Sequence, residues 1–187
     1  VLQNTGGRSV YQNIDKSTRQ GVELSVDSRL PRGFTTLLAY TFLDATFQSQ
    51  FSTCGLPPPN CVFPNTNVVT VPSGNQLPGV PRQFAYGELG WESAAQAVST
   101  ALELRYSDKI FANDTNTQYA GAYAIVNWRL GFKQEDGKLT LREFFRVDNI
   151  FGREYIGSVI VNEANGRYYE PSPGATFLVG VSAAYKF

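Results

Sequence analysis

Few residues in this chain could do covalent chemistry, and the missing ones narrow the choices most. There is no histidine among the 187 residues. That removes the side chain most used for general acid-base work near neutral pH, along with most hydrolase triads and the common zinc sites. No G-x-S-x-G nucleophile elbow occurs either. The chain therefore points away from an enzyme, and no catalytic residue, metal-ligand set or bound cofactor is assigned. Cys54 and Cys61, the only cysteines, flank Gly55-Leu56-Pro57-Pro58-Pro59-Asn60. A local disulfide is the natural reading; it implies an oxidising compartment and would limit loop freedom by roughly 2 to 3 kcal/mol. A metal pair is the alternative, but further Cys or His ligands are lacking. Gly137, Gly152 and Gly166 suit turns rather than phosphate loops, since no helix start follows any of them.

Composition sets the frame that must position whatever remains. The 16 basic and 16 acidic residues cancel, so nothing steers the chain towards nucleic acid. No run of 18 apolar residues exists, which excludes a transmembrane helix but not a membrane barrel, whose strands alternate lipid-facing and lumen-facing residues. With 13 Phe, 10 Tyr and 2 Trp, the chain favours an all-β protein with aromatic girdles. It begins at Val1, has no Met and shows no signal peptide, so it is expected to be processed or a piece of something longer.

Alternation then marks seven strands: about Tyr11 to Leu30, Phe34 to Phe47, Gln83 to Glu92, Ala97 to Phe111, Tyr119 to Lys133, Lys138 to Ile150, and a last one reaching Phe187. In that last strand Phe177, Val179, Val181, Ala183, Tyr185 and Phe187 share a face. Residues 1 to 10 read as loop. Connections alternate between tight ones at 31–33, 93–96 and 134–137 and long ones at 48–81, 112–118 and 151–175, the asymmetry of short periplasmic turns and long extracellular loops. By alternation Arg105, Asp108, Arg129, Arg142, Arg146 and Asp148 should point inward, as a solute path or ligand contacts, or simply as a hydrated lumen wall. Glu143 falls on the apolar face, so a β-bulge near Arg142 or a place near the water boundary is expected. Asn165-Gly166-Arg167-Tyr168-Tyr169 lies in a long connection; Arg167, Tyr168 and Tyr169 could stack on and hydrogen-bond an anionic or aromatic ligand, or merely anchor the rim. Seven strands cannot close a bacterial barrel, and two open edges cannot face lipid, so the chain should belong to a larger barrel.

Several short stretches carry a family resemblance. Asn149-Ile150-Phe151 with Tyr155, then Tyr169-Glu170-Pro171-Ser172-Pro173-Gly174-Ala175-Thr176-Phe177 and the closing Phe187, resemble the C-terminal end of TonB-dependent outer-membrane receptors. Ala175 stands where the family most often has Arg. Gly21-Val22-Glu23-Leu24 is similar to the family's G-x-E strand, and Leu77-Pro78-Gly79-Val80-Pro81 to its LPGVP entry into a later strand. The resemblance implies an integral protein of the bacterial outer membrane, residues 1–187 being the C-terminal part of an antiparallel barrel of about 22 strands with a plugged lumen. The plug and the TonB-contacting segment, N-terminal in the family, are not in this sequence. Implied partners are the remaining barrel strands, the plug domain, the TonB complex, outer-membrane lipid and a small metal chelate. Tyr185 and Phe187 resemble the signal read by the barrel-assembly machinery, or serve as girdle aromatics. The implied function is uptake of a scarce solute, most often a ferric siderophore, less often a vitamin or other cofactor. A surface barrel acting as adhesin or phage receptor is the binding-class alternative.

Overall fold

The computed structural model describes residues 3–5, 8–10, 13, 14, 16–54, 68–95, 97–163 and 165–187, with the backbone only at 3–5, 8–10 and 54. Among these described residues fifteen strands follow in order: β1 Gln3–Thr5, β2 Arg8–Val10, β3 Ser17–Arg29, β4 Phe34–Phe47, β5 Phe51–Cys54, β6 Val68–Val71, β7 Gln83–Glu92, β8 Val98–Ser107, β9 Ile110–Phe111, β10 Tyr119–Ala120, β11 Tyr123–Asp136, β12 Leu139–Asp148, β13 Ile156–Val159, β14 Tyr169–Pro171 and β15 Thr176–Tyr185. Seven form one antiparallel sheet in the order β15-β12-β11-β8-β7-β4-β3, and the other eight make four two-stranded pairs. The expected disulfide lies outside the described residues.

Register turns this sheet into a two-faced wall. Val22 opposes Phe42, Leu24 opposes Tyr40 and Val26 opposes Leu38. Leu89 then opposes Leu102, Val126 opposes Leu104, and Phe145 opposes both Leu130 and Val179. Because side chains alternate, every pair on this line sits on one side, and the charged residues meet on the other. The apolar face has no second layer over it among the described residues: Val22, Leu24, Val26, Leu104, Val179 and Val181 are each about half or more exposed. In water such a face would be an aggregation surface. Its natural solvent is hydrocarbon.

The connections keep the expected asymmetry. At one end Pro31–Gly33 is a tight turn in which Arg32 and Gly33 take positive φ. A Cβ on Gly33 would overlap the Glu92 carbonyl oxygen, so glycine is required there. Ser93 closes the next turn by accepting the Ala97 and Val98 amides, each at 3.1 Å. The other end carries the long connections, and all four small hairpins lie in them or before β3. The small buried cluster Ala45, Phe47, Val71 and Leu77 sits at the base of the first long connection.

Several expectations need correcting. Residues 1 to 10 include a short hairpin, β1 with β2. β3 starts at Ser17 rather than near Tyr11, and β8 stops at Ser107, where the Asp108 carboxylate turns to accept the Lys109 amide at 2.8 Å. Asp108 is therefore a turn residue, not an inward-facing wall residue. The last strand ends at Tyr185, although the Lys186 amide still reaches the Lys138 carbonyl at 2.9 Å. No bulge forms near Arg142: β12 pairs residue for residue from Leu139 to Asp148, leaving Glu143 opposite Phe132 and Val181 on the apolar face. Four residues separate Glu143 from Leu139 at the tight-turn end of β12, or about 13 Å along the strand. Uninterrupted pairing on both sides outweighs the cost of one carboxylate near the boundary.

Candidate functional site

The charged face gathers its groups at the level where β7, β8, β11 and β12 run side by side. Arg146 grips Glu103 with both ends of its guanidinium, at 2.8 and 2.7 Å, and its Nε donates to Asp148 at 2.8 Å. Arg129 pairs with Glu88 at 2.5 Å and approaches Glu103 at 3.8 Å. Tyr86 donates to the other Glu88 oxygen at 2.7 Å. Glu103 is only 5 % exposed, so its charge survives because it is paired bidentately and also receives Asn127 Nδ2 at 3.4 Å. Asn127 in turn accepts the Asn149 amide at 2.9 Å, linking the wall to the loop above it.

The four arginines that alternation groups together therefore do different work. Arg129 and Arg146 are held by carboxylates. Arg142 opposes Lys133 and Ser182 three residues from the tight-turn end of β12. Arg105 is exposed near the long-loop end of β8 and makes no ion pair among the described residues. All four lie on the charged face of the sheet, but only two belong to the network.

Asparagines buckle the long connections together. Asn116, at φ 57°, accepts the Gln76 amide at 2.7 Å and donates to the Gln76 carbonyl at 2.9 Å, so its side chain pairs like a strand. Asn75 donates to the Asp114 carbonyl at 2.9 Å, and Asn162 Oδ1 accepts the Asp114 amide at 3.0 Å. Gly79 of the Leu77-Pro78-Gly79-Val80-Pro81 stretch donates to Phe111 at 2.8 Å, and Leu77 to Ala45 at 2.9 Å. Tyr169 donates to Gln118 at 2.9 Å. The three connections thus form one platform.

Asn149 is the most constrained piece of it. Nearly buried, at φ 52°, its side chain both accepts from the Arg153 amide at 3.0 Å and donates to the Arg153 carbonyl at 2.8 Å. Asn149→Gly keeps the backbone angle and loses both bonds, whereas Asn149→Ala adds the angle's cost; losses of about 2 and about 3 kcal/mol are expected. Urea-unfolding midpoints of the two variants check the order, and equal losses would contradict it.

Of the loop candidates, Arg167 is the most exposed, with a long ion pair to Glu163 at 3.8 Å. Tyr169 is half-exposed, and Tyr168 is 4 % exposed with its ring against Tyr169. Burial pushes the Tyr168 phenol up, the Glu163 charge adding to it. The structure brings the three together but turns only Arg167 and Tyr169 outward. Glu163 itself accepts the Arg167 amide at 2.7 Å and the Asn165 amide at 2.8 Å, and the Arg167 bond is the main reason its carboxyl lies below the usual range. A depressed carboxyl stabilises its turn at neutral pH, and that contribution fades only as pH falls through the folded value, below about 4.3. Exchange protection of the Asn165 and Arg167 amides, corrected for intrinsic rates, should hold at pH 7 and be lost only once pH has fallen below the ordinary glutamate range. Loss already at pH 6 would contradict this. Tyr185 and Phe187 face outward with rings 5.5 Å apart, and Phe187 is fully exposed.

Comparison with known proteins agrees with this architecture. The family model described as TonB dependent receptor-like, beta-barrel matches residues 1–150. The probable TonB-dependent siderophore receptor PiuA of Acinetobacter baumannii is 24% identical over 165 residues, covering 85% of this chain and 20% of that protein. Its crystal structure superposes with a TM-score of 0.71 at 18% identity, over 90% of this chain and 22% of that one. The closed form of the ferric-catecholate import receptor Fiu from E. coli gives 0.64 at 19% identity, over 98% and 23%. The ferric yersiniabactin uptake receptor FyuA from Yersinia pestis gives 0.62 at 20%, over 91% and 24%. The chain thus spans about a fifth of the length of the curated relative it matches. It belongs to the TonB-dependent receptor family, as a stretch of that family's antiparallel β-barrel, an integral structure of the outer membrane.

Proposed function

We propose that this chain forms the C-terminal third of the barrel of an outer-membrane receptor that takes up a ferric siderophore, with energy delivered through TonB. One observation carries the reading: a seven-stranded wall with a lipid-suited face, a charged inner face and cross-linked loops at one end only. Both β3 and β15 keep an open edge within the sheet, and unpaired backbone groups cannot face hydrocarbon. Further strands must therefore complete the barrel, and a plug would meet the charged inner face. The receptor names of the similar proteins supply the solute class. Nothing is transformed covalently in such a step: the loop platform and inner wall hold the chelate, and movement of the plug releases it.

The test is ferric-siderophore uptake by cells producing the full-length protein that carries this segment, with TonB present or removed. Uptake that needs both is expected; uptake indifferent to TonB would overturn the reading. In the same cells, deleting Phe187 should lower the amount of assembled barrel several-fold, as heat-modifiable mobility on gels would show, if the exposed terminal aromatic is read during assembly. Unchanged levels would remove that role.

A further inference from the structure

We infer that the lipid-facing side of the wall holds one acyl chain of a membrane lipid in a trough along β7, floored by Ala85 and Gly87. The site lies outside the barrel, so it rests on the sheet being a barrel wall and not on the solute taken up. The trough comes from the pattern of bulk. On the apolar face β7 presents Ala85 and Gly87 in succession, while Tyr40 and Leu38 of β4 and Tyr106 and Leu104 of β8 stand directly opposite them. Two small residues between two large pairs leave a hollow of about 290 Å³, with Leu24 and Val26 of β3 behind its β4 side. Leu89 closes it towards the tight-turn end, where it faces Thr36 and Leu102. Towards the other end the Tyr40 hydroxyl donates to Gln83 Oε1 at 3.1 Å, so the phenol finds its partner within the wall.

Gly87 is the residue that the backbone does not require. Among the described glycines inside strands, Gly21, Gly90, Gly131, Gly157 and Gly180 each lie under a neighbouring atom that a Cβ would overlap. A Cβ on Gly87 would meet only the Leu38 side chain, at 3.5 Å, an ordinary contact, and its φ is not positive. Neither angle nor crowding calls for glycine there, and glycine weakens a strand interior. What it provides is empty volume, the mark of a place where another group approaches the strand closely.

Width selects the occupant. Neighbouring strands lie about 4.8 Å apart, so the backbones of β4 and β8 stand roughly 10 Å apart across β7. Side chains leaning in from both leave room for a single hydrocarbon chain. A helix, roughly 10 to 12 Å across with its side chains, cannot enter, and a facing sheet keeps about 10 Å off and reaches only the rims. A second copy of this chain would therefore send down isolated side chains and leave the rest void, whereas an acyl chain lies along β7 and restores dispersion contacts to the whole lining. No charged residue lines the trough, and hydrocarbon is the solvent of this face.

The experiment places the full-length protein in vesicles of phosphatidylethanolamine and phosphatidylglycerol doped with a phospholipid that carries a photoactivatable diazirine midway along one chain. After illumination, labelled peptides are mapped by mass spectrometry in wild type, Gly87→Leu and Ala183→Leu. In wild type, labelling over 38–40 and 85–87 should exceed that over 177–181 several-fold, although Phe177, Val179 and Val181 on the same face are more exposed than Leu38 and Tyr40. Gly87→Leu fills the floor and should bring the trough down to the β15 level. Ala183→Leu adds the same bulk to that face away from the trough and should change nothing there. Even labelling of the apolar face in wild type would overturn the trough, as would an excess that survives Gly87→Leu. Trough labelling below the β15 level would mean that a protein segment, such as a second copy, covers it, and would overturn the proposal too. If Gly87→Leu does not assemble, the wild-type map decides alone. Each of these results leaves uptake through TonB untouched, whereas no labelling anywhere on the apolar face would overturn the barrel wall as well.

Discussion

Arg146→Met should destabilise the wall by about 3 to 5 kcal/mol, the range for removing one partner of a buried charge pair. Glu103 would keep Asn127 at 3.4 Å and Arg129 at 3.8 Å, both poor substitutes for two bonds at 2.8 and 2.7 Å. The carboxylate cannot move to water, because β8 holds it with only 5 % of its surface exposed. Removing both charges in Glu103→Gln with Arg146→Met should recover more than half of the loss, since neither charge is then stranded. The midpoint of heat-induced unfolding, read from gel mobility, checks both variants. If Arg146→Met alone costs less than about 0.5 kcal/mol, the pair behaves as a solvated surface bridge.

The second large effect concerns the other side of the wall. Leu104 stands between Gly87 and Val126 on the apolar face, with Leu102 beside it. Leu104→Arg should cost roughly 2 to 4 kcal/mol, the penalty for an arginine on a barrel's lipid face near the midplane. Ser99→Arg, on the charged face of the same strand, should cost less than about 1 kcal/mol because water and carboxylates are available there. Folding free energies measured in bilayers would reveal the difference. Similar costs at the two positions would mean that the faces do not have different solvents.

Much of the wall was legible in the sequence. Alternation in Val22, Leu24 and Val26 or Phe177, Val179 and Val181 is a local signal, and Pro31-Arg32-Gly33 announces its own turn, so both survive without knowledge of partners. Long connections hid their hairpins, since β5 with β6 and β13 with β14 are too short to show periodicity. The network on the inner face was visible only as a set of arginines on one side. Deciding that Arg146 is spent and Arg105 is not requires the offset between β8, β11 and β12, which no single strand records. Asn116 illustrates the same limit: its side chain completes the backbone of Gln76, 40 residues away. Glu143 on the apolar face called for either a bulge or a place near the water boundary; two continuous ladders hold the strand straight and exclude the bulge, leaving the boundary.

Sidedness decides whether this sheet is a barrel wall, and spin labels placed one at a time can measure it. In the full-length protein in lipid bilayers, labels at Leu38 and Leu104 should be relaxed strongly by oxygen and weakly by a water-soluble nickel chelate. Labels at Thr41 and Ser182 should show the reverse. Equal access of the nickel chelate to all four positions would mean that no hydrocarbon covers the apolar face, and the barrel-wall reading would fail.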